Sequence, residues 1–367
     1  MKILYVTANV LGDAGANAAE IFPKLALAAD PVDHVIVADF ARNRDFIRYR
    51  QFADFLRLRE YKWPIRQAWQ AAARIAKKVK DIDVDIIHVF YRQQNIPLII
   101  FLRLALIVLR SNAILLVDHR SVNLARGWRA GVKKFRNLLM QIFAHRLAGN
   151  PWAVETNHFF VFKPKHIIDL GYDKLPGGRE TKPSAKAPCT IWFIGSLKPK
   201  NRKSEFLIDV FDQIAAMDTA TRPIEIHVAG PTRKAQARAL NKNPMVTYHG
   251  MLPRADLYKL LRERPGIGMA FMNMEFHSYA PSLKFVEYAI MRYAIIASDT
   301  LGLRTQAKRM NLDGVIFATE DPQEWAEKLV AAANEWQGLS PSWDDAPLWS
   351  YDSIFERQVI GLYERLV

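Results

Sequence analysis

The chain has 367 residues, half of them apolar, which suffices for two globular domains of ordinary size and excludes an intrinsically disordered protein. A single cysteine, Cys189, excludes an internal disulfide framework and a cysteine-based metal site, and fits a reducing compartment. The net charge of +14 is lopsided: residues 1–183 hold 29 Lys/Arg against 16 Asp/Glu and the remainder 22 against 21, so nucleic acid, an anionic membrane surface or an acidic substrate is the partner class to expect of the first half.

The opening MKILYVTANVLG is a strand pattern rather than a signal peptide, and GDAGANAAE leads from it into the apolar IFPKLALAA. Strand, small-residue loop and helix form a phosphate-approach geometry in which Gly12 and Gly15 let a ligand near backbone N–H groups, though a plain tight turn has the same pattern. After strand HVIVADF, Arg42 to Lys62 alternates aromatics with arginines and puts Phe46, Tyr49 and Phe52 near one face at helical spacing. A helix at Ile65 to Val79, a strand at Ile86 to Arg92 and a buried helix at Pro97 to Leu109 follow, the last too short to span a bilayer.

Strand AILLVDHRS ends in Asp118, His119, Arg120 and Ser121, where open α/β sheets place their sites. Asp118 or His119 fits a general base there; alternatively Asp118 caps the next turn and pairs with Arg120. Arg126 to Arg146 is an amphipathic basic helix, with Trp128, Val132, Phe135, Leu139 and Ile142 along one stripe and Arg129, Lys133, Lys134 and Arg136 beside it. Such a stripe lies on an anionic bilayer or packs inward in a βαβ series. A strand at Ala153 to Phe162 completes the half.

Leu175 to Pro188, with three Pro and two Gly, reads as a linker between domains at 1–174 and 189–349, with a terminal helix at 350–367. Strands alternate with helices on both sides of it, which predicts parallel sheets covered on both faces. Late in the second series, SYAPSLKFVEYAIMRYAIIASDT at 278–300 reads as a loop turned into a helix by Pro281 and Ser282, then a strand. Lys284 and Glu287 share a helical face, so an ammonium, a carboxylate and helix-terminal N–H groups converge on one volume. That arrangement suits a phosphate beside a sugar hydroxyl, and equally a solvated ion pair.

FIGSLKPKNRKSEFLIDVF, HVAGP, VTYHGMLPRADLYKLL and SLKFVEYAIMRYAIIASD, in that order, resemble the GT-B glycosyltransferases, chiefly family 4. The resemblance implies an α/β fold of two Rossmann-like, doubly wound parallel-sheet domains facing across a cleft. The donor diphosphate would then meet Lys284, the backbone at Ser282 and Leu283, and the loop with Gly195, Ser196, Lys198, Lys200, Arg202 and Lys203. Glu287 would accept from the ribose, and His249, Gly250, Met251 and Leu252 would lie beside the base. This chain departs from the family pattern at Tyr279, where a glutamate is frequent, at Ser196, where an arginine is frequent, and at Arg292, where glycine is usual.

VTANVLGDAGANAAE, Asp118 and Ser282-Leu283-Lys284 further resemble the membrane-associated inverting glucuronosyltransferases of xanthan-type assembly. That likeness implies Asp118 as the base and a polyprenyl-diphosphate-linked glycan as acceptor. The expectation is therefore a metal-independent transferase without a cofactor, taking a nucleotide sugar that the resemblance implies is UDP-linked, and peripheral on the inner face of the cell membrane. The competing expectations are a sugar-nucleotide epimerase on the same fold and a basic nucleic-acid-binding module. The sequence shows no nucleic-acid motif, so no nucleic-acid partner is expected.

Overall fold

The computed structural model describes residues 1–7, 18–39, 54–57, 64–91, 96–119, 152–154, 166–172, 187–198, 203–217, 221–274, 278, 280–336 and 345–367. Gly12, Gly15, the basic helix at 126–146, nearly all of the linker, Lys200, Arg202, Glu275 and Tyr279 lie outside the described residues. The chain divides into two compact units, one of Met1–Asp169 with Tyr351–Val367, the other of Leu170–Ser350.

The first unit runs β1 (Lys2–Thr7), α1 (Ala18–Ala26), β2 (His34–Asp39), β3 (Asp54–Arg57), α2 (Pro64–Ile82), β4 (Ile86–Tyr91), α3 (Ile96–Val108), β5 (Ile114–His119), β6 (Trp152–Val154) and β7 (His166–Ile167). Its seven strands are all parallel, in the order β3-β2-β1-β4-β5-β6-β7. Because strand side chains alternate, β1 sends Leu4 and Val6 to a core under α2 and α3, and Ile3 and Tyr5 to a core shared with α1. The strand at Asp54–Arg57 corrects the helical reading of 42–62 there: this piece pairs with Ile36 to Asp39 on the open edge of β2, and tertiary pairing overrides the local aromatic spacing.

The second unit runs β8 (Cys189–Ile194), α4 (Ser204–Ala216), β9 (Ile224–Ala229), α5 (Lys234–Leu240), β10 (Val246–Gly250), α6 (Arg254–Glu263), β11 (Gly266–Ala270), α7 (Leu283–Ile290), β12 (Ala294–Ser298), α8 (Leu301–Arg309), β13 (Ile316–Ala318) and α9 (Pro322–Glu335). Its six parallel strands follow β10-β9-β8-β11-β12-β13. The helical C-terminus, α10 (Tyr351–Ile354), a π-helical turn (Phe355–Ile360) and α11 (Gly361–Leu366), belongs to the first unit and buries Ile354, Phe355, Val359 and Tyr363 on its sheet.

Both sheets share a strand order that reverses beside the first strand, between β1 and β4 and between β8 and β11. Ligands of open α/β sheets bind beyond the carboxyl ends of the strands at such a switch point. In the second unit the two strands pair only through Thr190–Trp192 and Gly266–Gly268. Past that, the Tyr288 hydroxyl of α7 stands in for the ladder, donating to the Trp192 carbonyl at 3.0 Å and accepting from the Ile194 N–H at 3.1 Å. The ring passes over Gly268, where any Cβ would come within 2.3 Å of it, so glycine is required there for packing.

Removing the hydroxyl leaves two interior backbone groups without that partner. Tyr288→Phe is expected to cost about 1–3 kcal/mol in urea unfolding, and an unchanged midpoint would show that the hydroxyl is not the bridge.

Candidate functional site

The switch point of the second unit is narrowed by backbone. β8 runs directly into Gly195 (φ +150°) and β9 into Gly230 (φ +141°), and a Cβ on Gly230 would lie 2.0 Å from the Gly195 carbonyl oxygen. The Gly195 N–H donates to the Ala229 carbonyl at 2.8 Å, and the Gly230 N–H to the Gly250 carbonyl at 2.7 Å. Three neighbouring strands thus finish on or run into glycines, and side-chain bulk is excluded where backbone must come close.

Lys284 reaches into this place from the first turn of α7. Its Nζ donates to the Phe271 carbonyl, just after β11, at 3.0 Å, and lies 4.6 Å from the centre of the Phe193 ring. It is also 3.6 Å from where a Gly195 Cβ would be. One ammonium therefore spans the gap between the ends of β8 and β11, held by a carbonyl and an aromatic face.

The helix start that aims it differs from the sequence expectation. Ser282 is the N-terminal cap with extended backbone, yet its side chain makes no capping bond. Buried Gln306 of α8 clamps its backbone instead: Oε1 accepts from the Ser282 N–H at 2.8 Å, and Nε2 donates to the Ser282 carbonyl at 3.1 Å. The Ser282 N–H, expected to face a diphosphate, is thus engaged by Gln306. The N–H groups of Leu283 and Lys284 follow it in the first helical turn, where helices lack internal partners.

Glu287, one turn on, is 8% exposed. Its Oε1 accepts from the Tyr258 hydroxyl at 2.8 Å and faces Arg254 Nη2 at 3.5 Å. The Arg254 guanidinium lies 4.9 Å above the Tyr258 ring, and its Nε donates to the Tyr258 hydroxyl at 2.8 Å. Burial raises the Glu287 carboxyl above its ordinary range, while Arg254, Tyr258 and Lys284 oppose that shift. The pair is therefore no solvated Lys/Glu contact.

Of the other residues expected to face the phosphates, Ser196, Lys198 and Lys203 are described. The Lys198 side chain is exposed, and its N–H donates to Ser196 Oγ at 3.3 Å. Lys203 adopts left-handed backbone (φ +45°) at the start of α4 and pairs with Glu320 at 2.8 Å.

His249 sits at an irregularity of β10, where the pairing to β9 shifts between Tyr248 and Gly250. Its ring stacks at 5.1 Å on His227 and 5.5 Å on Trp192, and His227 Nδ1 lies 2.8 Å from His249 Nε2. Gly250 has φ +68°, and Met251 beyond it is exposed while Leu252 is half-buried. Gln306, Arg254, Tyr258, His227 and Trp192 are the members of this neighbourhood to which the sequence assigns no role; Arg254, Tyr258 and His227 lie within the family-like stretches VTYHGMLPRADLYKLL and HVAGP, but what they do is set by partners distant in the chain, as Glu287 is for Arg254 and Tyr258 and His249 for His227.

In the first unit Asp118 is fully buried at the end of β5, a placement unlike the strand-end acid open to an acceptor that the sequence suggests. Its Oδ2 lies 3.2 Å from His88 Nε2, His88 Nδ1 lies 2.5 Å from the Tyr363 hydroxyl, and that hydroxyl donates to Tyr5 at 3.1 Å. Arg120, its alternative partner, lies outside the described residues, as does the His119 side chain. Among the described residues no group of three His, Cys, Asp or Glu could hold a metal ion.

Burial holds both His227 and His249 below the ordinary histidine pKa, with Arg264 acting in the same direction and Glu225 opposing it at His227. The unfolded chain then takes up protons first as pH falls through about 6.5, so this pair loses stability on acidification until the folded pKa values are passed. The raised Glu287 carboxyl acts in the opposite direction. Comparison with His227→Gln separates the two: the drop in melting temperature from pH 7.5 to 5.5 should shrink in the variant, and an equal drop in both proteins would assign the acid sensitivity elsewhere.

Residues 188–335 match the family model described as Glycosyl transferases group 1. No curated protein matches the chain. Among solved structures, the lipopolysaccharide outer core galactosyltransferase WaaB in its apo form is 13% identical over the whole of both chains, with a TM-score of 0.68. Anabaena Alr3699/HepE in complex with UDP and glucose is 15% identical, covering all of this chain and 97% of its own, with a TM-score of 0.64. A Listeria monocytogenes putative UDP-N-acetylglucosamine 2-epimerase is 10% identical, covering all of this chain and 97% of its own, with a TM-score of 0.57.

Proposed function

We propose that this chain is a glycosyltransferase of the GT-B fold that moves a sugar from a UDP-linked donor to a hydroxyl of a glycan carried on a polyprenyl diphosphate at the inner face of the cell membrane. The observation that carries the donor half is Lys284, whose ammonium bridges the ends of β8 and β11 beside Gly195 and the first turn of α7. A leaving diphosphate gains negative charge in the transition state, so a cation and helix-terminal N–H groups already in place stabilise it most at that moment. Leu283 and Lys284 supply the N–H groups, with Ser196, Lys198 and Arg202 toward the same phosphates.

Glu287 serves the ribose in this reading, with Tyr258 and Arg254 holding Oε1 and so fixing the carboxylate's direction. His249 to Leu252 flank the base, and the stack of His249 on His227 and Trp192 gives that side a flat, rigid wall. Asp118 is the proposed base toward the acceptor; enclosed against His88, it has to be uncovered locally to meet a hydroxyl. Glucuronic acid is the proposed sugar, on the likeness to xanthan-type enzymes. The acceptor is supported by the basic first half, whose charge suits a lipid diphosphate.

A thermal-shift screen of nucleotide sugars followed by NMR of the product linkage tests the reading, since an isomerised donor in the absence of acceptor would mark an epimerase instead. Lys284→Ala is expected to lower turnover roughly 10²-fold at saturating donor, and unchanged turnover would remove its role in charge stabilisation.

A further inference from the structure

Eleven large hydrophobic side chains are exposed among the described residues, and five of them, Ile65, Trp69, Leu104, Ile107 and Val108, stand on α2 and α3. The two helices pack side by side over one face of the first sheet, and the Trp69 and Phe101 rings meet edge to face with their centres 5.4 Å apart. On α3 the exposed set is spaced i, i+3, i+4, and on α2 it is spaced i, i+4, so each helix carries a stripe. Exposure is high for such residues, 54% at Trp69, 67% at Ile65 and 79% at Val108. A helix that is apolar nearly all round is normally covered on every side, and α3, with Arg103 its sole charge, is covered on one.

The charges on the two helices are nearly all of one sign, with Asp81 near the end of α2 the one acid among them. Residues 64–80 and 96–110 contain Arg66, Arg74, Lys77, Lys78, Lys80, Arg103 and Arg110 and no Asp or Glu; the first acid is Asp81, at the far end of α2 from Trp69. A two-fold interface with a second copy would set this cationic rim against itself, a repulsive arrangement. An anionic bilayer has the complementary charge and accepts apolar side chains at its surface. α3 rises about 20 Å over its length, too little to cross the hydrocarbon, and suits a helix lying in the interface.

We propose that the α2–α3 face is a membrane-docking surface, with Trp69, Leu104, Ile107 and Val108 entering the headgroup region and the surrounding Lys and Arg meeting anionic lipid. It deepens the reading of a lipid-linked acceptor by naming the side of the first unit that meets the bilayer, and it rests on residues separate from the donor site.

The test is flotation of the full chain with vesicles of phosphatidylglycerol and phosphatidylethanolamine against vesicles of phosphatidylcholine. The wild type should float with the anionic vesicles and weakly or not at all with the neutral ones. Trp69→Ser/Leu104→Gln/Val108→Gln, and separately Arg74→Glu/Lys77→Glu, should each lose at least about tenfold in binding. Both variants should keep the far-UV circular dichroism and the UDP-induced thermal shift of the wild type. Flotation of both folded variants at the wild-type level, or a wild type that binds neither vesicle, would overturn the proposal. So would a wild-type dimer, seen by sedimentation equilibrium and lost in the first variant, if no vesicle binding accompanies it. The UDP shift reads the donor site independently, so docking and sugar transfer fail separately.

Discussion

The contact between the Lys284 ammonium and the Phe271 carbonyl sets the terms for the second unit. A cation drawn half out of water needs compensating partners, and here they are a carbonyl after β11 and the face of Phe193 at the end of β8. Both lie at strand ends that diverge at the switch point, so the geometry holds only if the two strands and α7 keep their positions. Tyr288 ties α7 to β8, Gln306 ties its first residue to α8, and Gly268 leaves room for the Tyr288 ring. The glycine at the end of each neighbouring strand keeps the same space narrow and free of side chains.

Much of this was legible in the residues themselves. The alternation of apolar strands with helices predicted two parallel sheets, and the strand and helix at 283–298 appear close to where the pattern of Lys284, Glu287 and the Ile295-Ile296 run puts them. What the sequence hid is direction. Spacing places Lys284 and Glu287 on one helical face, yet the lysine turns to the switch point and the glutamate to Tyr258 and Arg254, because partners from β11 and α6 decide where each points. Ser282 occupies the capping position as its type suggests, but Gln306, 24 residues further on, makes the bonds. No local pattern announces a partner that distant.

Asp118 teaches the same lesson in the first unit. The strand-end location was readable; its enclosure by His88 and, through Tyr363, by the last helix of the chain was not. The helical C-terminus brings residues distant from Asp118 in the chain into the core of the first sheet, burying Tyr351, Phe355 and Tyr363 beside Phe22 and Tyr5. The unit is thus completed by sequence from the other end of the chain. Its outer helices α2 and α3 combine apolar exposure with a cationic rim, so part of the charge asymmetry visible in the composition has a definite place among the described residues.

The central claim, that Lys284 and the strand-end glycines form a diphosphate site, is tested most directly by calorimetric titration of UDP and of uridine into the wild type and Lys284→Ala. The account predicts that UDP binds the wild type at least about tenfold more tightly than uridine, and that the substitution removes most of this difference while leaving uridine affinity unchanged. Equal affinities of the wild type for UDP and uridine, or a UDP preference undiminished in Lys284→Ala, would contradict it.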